Sequence, residues 1–142
     1  MTRDDAAAGS ISTRDAEILA INQSMLESVL RGDWNSYAAH CSDDISCFEA
    51  ETNGVLVEGK AFHRFYFADD DGSNTGSSAP PSAQVTMARP HVRWLSDDVV
   101  VLSYTRLVQR LSEGVFSTNS CCETRIWQRC DGRWQQVHVH RS

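Results

Sequence analysis

The chain has 142 residues, of which 41% are hydrophobic and 23% charged, with a formal net charge of −6. That length holds one domain with a sizeable core and is short for two. The acidic balance excludes a general affinity for nucleic acid or anionic membranes, and no apolar run reaches the roughly 18 residues a bilayer span needs.

Residues 1–13, "MTRDDAAAGSIST", are small and polar, with no apolar h-region. They read as a disordered leader, not a secretory signal, so a cytoplasmic location is expected. A helix follows in "STRDAEILAINQSMLESVLRGDW". Ser12 with Asp15 three residues on is a capping box, and Ile18, Ile21, Met25 and Val29 form a stripe widened by Leu19, Leu26 and Leu30. Gly32 suits the position just past the helix end, and a second short helix is expected from Asp33. Two short strands, 45–50 and 54–58, are expected around a turn at Thr52–Asn53–Gly54. "GKAFHRFYF" reads as a short aromatic helix, and "ADDDGSNTGSSAPPSA" as a mobile surface loop. The remainder alternates as a meander of long antiparallel strands over 83–95, 98–110, 115–129 and 133–141, with turns at Asp97–Asp98 and Asp131–Gly132. Helices first and strands after indicate an α+β fold, helices packed on one face of a curved sheet.

The chemistry lies in the period-2 faces of the meander. Arg106 shares a face with Leu102, Tyr104 and Val108, and Arg125 with Trp127 and Cys121. In the last strand Arg141 shares a face with Val137 and Val139. Clustered arginines on apolar faces repel one another, and burying each unpaired costs several kcal/mol. Either carboxylates compensate or an open cavity takes an anion. Glu123, on the face of Arg125, and Glu49 and Glu51, sharing one face of the first strand, are the candidate partners. Guanidinium suits bidentate carboxylate recognition, so an anion pocket is expected. His63, amid Phe62, Phe65, Tyr66 and Phe67, could add a donor.

The ending "VHVHRS" places His138 and His140 on one strand face. A metal would need a third ligand that the cysteines do not offer at ligand spacing, so no metal site is expected. The two imidazoles are instead assigned to packing or subunit contact on the face opposite Arg141. The five cysteines, Cys41, Cys47, Cys121, Cys122 and Cys130, contain no CxxC pair and are expected as reduced thiols. A general base for a small pocket enzyme could come only from His63 with Glu49 or Glu51.

The block "FEAETNGVLVEGKAFHRFYF", followed by "RPHVRWLSDDVVVLSYTRLVQR" and "ETRIWQRCDGRWQQVHVHRS", resembles the association (hub) domain of calcium/calmodulin-dependent protein kinase II. The likeness runs in order over residues 14 to 142. It implies the cone-shaped fold of the nuclear-transport-factor-like superfamily, a long helix cradled by a strongly curved antiparallel sheet. It further implies a homo-oligomeric ring of stacked dimers, dodecameric or larger, and no catalysis. A pocket lined by Arg106, Arg125 and Arg141, with His63 at its mouth, is implied to receive acidic peptides or small carboxylates. A kinase carrying the same hub is a possible partner, and no cofactor, nucleic acid or membrane is implied. The 68–82 loop is longer than the family's, Ser117 stands where the family has an arginine, Cys121–Cys122 replace a Ser-Glu pair, and the turn in "LSEGVFSTNS" is shortened. No Gly-rich phosphate loop and no DFG occur, and "HRF" is not a kinase "HRD". The Met1 start and polar leader are expected of a stand-alone homologue. The alternative is a small isomerase, cyclase or hydrolase of the same cone fold.

Overall fold

The computed structural model describes residues 12–67 and 82–142. Except for residues 12–13 and 82–83, the expected leader and surface loop lie outside the described residues. Helix α1 (Thr13–Arg31) starts where Ser12 Oγ accepts from the Asp15 amide, and ends on Gly32 in the left-handed conformation. Only half of the expected capping box forms, because the Asp15 carboxylate turns to accept from Trp94 Nε1 at 2.6 Å. The buried stripe also includes a polar residue: Asn22 lies between Ile18 and Met25 and bonds Trp127 Nε1 and Met87. Helix α2 (Trp34–Ala39) is capped by the Asp33 side chain.

Six strands form one sheet in the order β2-β1-β6-β5-β4-β3. They are β1 (Cys41–Phe48), β2 (Val57–Glu58), β3 (Ala83–Ser96), β4 (Val99–Ser112), β5 (Val115–Cys130) and β6 (Arg133–Arg141). The meander from β3 to β6 is antiparallel, whereas β1 pairs β6 in parallel. At the β5–β6 turn Asp131 and Gly132 both have positive φ, the conformation an Asp-Gly hairpin favours. Glu113 and Gly114 make the same kind of turn between β4 and β5.

The expected second strand shrinks to two residues. After β1 the chain enters a 3₁₀ turn (Ala50–Thr52), and Asn53 and Gly54 both take positive φ. That geometry uses the backbone a longer strand would need. A second 3₁₀ helix, Lys60–Phe67, carries the aromatic block. The register of β3 against β4 shifts between Ala88 and His91, where Arg89 has positive φ and Pro90 has no N–H. A bulge there bends the sheet around α1. The core, which includes Ile18, Met25, Ile45, Leu102 and Trp127, fills the concave side.

Candidate functional site

On the concave face Arg106, Tyr104 and Leu102 of β4 lie opposite Cys121, Glu123 and Arg125 of β5. On β6, Val139 pairs Arg125 and Arg141 pairs Glu123. This much follows from strict alternation. The register then shifts between Ile126 and Trp127, so Trp127 pairs Gln136 while Ile126 pairs His138. Val137 is the extra residue of that bulge and does not share the inner face as expected. Gln136 takes the place, fully buried, and its Oε1 accepts from Arg125 Nη1 at 2.7 Å.

Two linked polar clusters result. In the first, Glu123 accepts from Arg125 Nε and Nη2, both at 3.2 Å, and from the Tyr104 hydroxyl. Arg106 Nη1 lies 3.2 Å from its other oxygen. Burial pushes the Glu123 carboxyl up, but Arg125 and Arg106 outweigh it and hold it below the ordinary carboxylate value. Burial also pushes the Tyr104 phenol up to about 12, so it stays a donor. In the second cluster, Arg141 Nε reaches Glu49 at 2.6 Å and Arg141 Nη2 reaches Glu51 at 2.7 Å. Glu49 also meets His63 Nε2 at 3.3 Å, and Glu51 accepts from the Tyr66 hydroxyl. Burial opposes ionisation of Glu49, yet the His63 hydrogen bond and Arg141 keep its carboxyl low.

Two sequence expectations about these residues need correction. Glu49 and Glu51 do not share a strand face, because β1 ends at Phe48 and the 3₁₀ turn carries them. His63 is not at a mouth: it is 1% exposed, edge-on to Tyr37, with Nδ1 buried and unbonded. Of the two ways to compensate the arginines, the carboxylates named as candidate partners do meet them: Glu123 pairs Arg106 and Arg125, and Glu49 and Glu51 pair Arg141. His138 and His140 do fall on the opposite, convex face, where His138 Nδ1 lies 2.7 Å from Ser46 Oγ and Phe48 packs near both rings.

The clusters border a cavity of about 320 Å³. His63, Arg106, Arg125, Arg141, Glu49 and Glu51 all line it, together with Tyr66 and Arg110, which sequence reasoning did not single out. Both had a signal. Arg110 continues the period-2 face of Arg106, and Tyr66 follows His63 by the three residues that eclipse in a 3₁₀ helix. Cys47, Glu49 and His63 each offer a ligand atom within 4.8 Å of the others. They suit a cation poorly, because burial pushes the Cys47 thiol up to about 11 and Glu49 already serves Arg141.

Residues 14–142 match the profile of the calcium/calmodulin dependent protein kinase II association domain. The chain is 36% identical over 133 residues to the type II kinase subunit delta of Oryctolagus cuniculus, covering 93% of this chain and 24% of that protein. It thus spans about a quarter of that relative's length. Among solved structures, the CaMKII hub homology domain of C. reinhardtii is 43% identical with a TM-score of 0.79, covering 92% of this chain and 98% of that one. An NTF2-like protein of Pseudomonas putida, 20% identical with a TM-score of 0.69, covers 94% of this chain and 89% of its own and shares the fold.

Proposed function

The chain belongs to the calcium/calmodulin-dependent protein kinase II association domain family, and from that premise we propose that it is a self-assembling hub. Its copies form a ring of stacked dimers, dodecameric or larger, and act through assembly, not catalysis. The observation that carries this is the family match over residues 14–142. Apolar surface supports it: Phe116 is 78% and Val115 66% exposed beside the β4–β5 turn, and Leu95 is 62% exposed near the β3–β4 turn. Side chains of that kind favour burial against another subunit. A kinase carrying the same domain is a second partner class. The cytoplasm suits a chain whose five cysteines are all free thiols. Light scattering at micromolar concentration tests assembly, and a stable monomer overturns it.

The cavity is the hub's ligand site for acidic peptide segments or small carboxylates. Arg106 and Arg141 are partly exposed, and each can turn remaining donors toward an anion. Binding weakens as salt rises. Titration of wild type and Arg141→Ala with butyrate tests this, and equal affinities remove the pocket.

A small enzyme is the second reading, favoured by the buried His63–Glu49 pair. Glu49 is committed to Arg141 as well, which lowers its basicity. A turnover abolished by His63→Ala would establish this reading.

A further inference from the structure

Among the described residues, the charges around the cavity do not cancel. Glu49, Glu51 and Glu123 meet Arg106, Arg125 and Arg141, and among the described residues Arg110 has no carboxylate partner. Four arginines stand against three glutamates, one cation in excess, in a chain whose net charge is −6. Arg110 is exposed, and its ladder partners Ala83 and Ser117 are small, which leaves its guanidinium room to swing along the strand. It sits two pleats beyond Arg106 on the same face of β4, about 14 Å away at roughly 3.4 Å per residue.

Between the two arginines the surface is apolar. A second hollow of about 150 Å³ adjoins the cavity, sharing Val29, Arg106 and Arg110 with it. Leu26, Leu30, Val85 and Val108 complete its wall. A cation at each end and hydrocarbon between them complement a molecule with the inverse pattern.

We propose that Arg110 is the specificity residue of this site and selects ligands carrying two carboxylates joined by an apolar spacer. One carboxylate enters the cavity beside Arg106 and Arg141. The spacer lies on Val29, Val85 and Val108, and the second carboxylate meets Arg110. Aliphatic diacids and peptide segments with two acidic side chains around an apolar residue share this chemistry. The inference rests on the reading of the cavity as an anion site.

The test is a titration of wild type, Arg110→Ala and Arg110→Lys at low salt. The probes are butyrate, the straight-chain diacids from succinate to suberate, and capped Glu-Val-Glu against capped Glu-Val-Gln. Two identical ends alone favour a diacid about twofold. Beyond that, wild type is expected to prefer the longer diacids by about 1.5- to fivefold, the range of a solvent-exposed ion pair. Arg110→Ala should lose this extra preference, its affinity for the longer diacids falling more than its affinity for butyrate, and Arg110→Lys should keep most of it. A preference for Glu-Val-Glu that exceeds that of every diacid identifies the peptide as the source. Equal diacid preference in wild type and Arg110→Ala overturns the role of Arg110. Butyrate that binds nowhere, or binds equally to Arg141→Ala, overturns the anion site itself.

Discussion

Replacing Glu123 with Gln keeps the side-chain shape and removes the charge that Arg125 and Arg106 share. Glu123 is 2% and Arg125 3% exposed, so water cannot take over the lost carboxylate. Removing one partner of a buried ion pair costs about 3–5 kcal/mol, because the other charge stays behind without solvent. Arg106 is partly exposed and adds at most about 1 kcal/mol. Arg125 keeps its bonds to Gln136 and the Tyr104 hydroxyl, which places the expected loss near the lower end, about 3 kcal/mol. At about 4 °C per kcal/mol for a chain of this length, Tm falls by about 12 °C. The assay is thermal unfolding at one fixed protein concentration, since assembly contributes to apparent stability. Adding Arg125→Met removes the stranded charge, so the double variant should be more stable than the sum of the two single losses by at least about 1 kcal/mol. A Glu123→Gln Tm within about 3 °C of wild type, or strict additivity, would refute the reasoning.

Further outcomes follow from the same geometry. The carboxyls of Glu49, Glu51 and Glu123 all lie below their ordinary value of 4.5. The unfolded chain therefore binds more protons in the interval between, and stability is full above that value and lost as pH falls through the folded values. A melting temperature that holds or rises on acidification below 4.5 contradicts this. Arg141→Ala should weaken butyrate binding while the fold persists, as read by circular dichroism alongside the titration. It is a cleaner test than deleting the last two residues, since Ser142 also exchanges two backbone bonds with Cys122. Thiol titration of the native protein should label exposed Cys122 and Cys130 quickly and leave buried Cys41 and Cys47 unmodified. Rapid labelling of Cys47, whose thiol burial pushes up to about 11, counts against the packing described. Phe116→Glu places a charge on the most exposed large apolar side chain among the described residues and should lower the assembled mass seen by light scattering.

Period-2 alternation made most of the concave face legible. Arg106, Tyr104, Glu123, Arg125 and Arg141 lie where alternation places them, because β4 and β5 pair without a register shift. Alternation fails at Val137, where a bulge inserts one residue and turns Gln136 inward. Nothing in "WQQVHVHRS" marks that insertion, since Gln135 and Gln136 are chemically alike. The parallel pairing of β1 with β6 joins residues about ninety positions apart, and local pattern carries no information on such a contact. Glu49 and Glu51 reach Arg141 through the 3₁₀ turn that follows β1. The Asn53–Gly54 signal located that turn, but not how early β1 would yield to it. The aromatic helix was legible as an element, whereas the burial of His63 depends on Tyr37 and Phe62 packing about it.

Self-assembly is the central claim, and native mass spectrometry at micromolar concentration tests it most directly. The account predicts a species of at least twelve 15.8 kDa subunits, even in number, with dimers as its dissociation products. A single 15.8 kDa species that persists as concentration rises would contradict it.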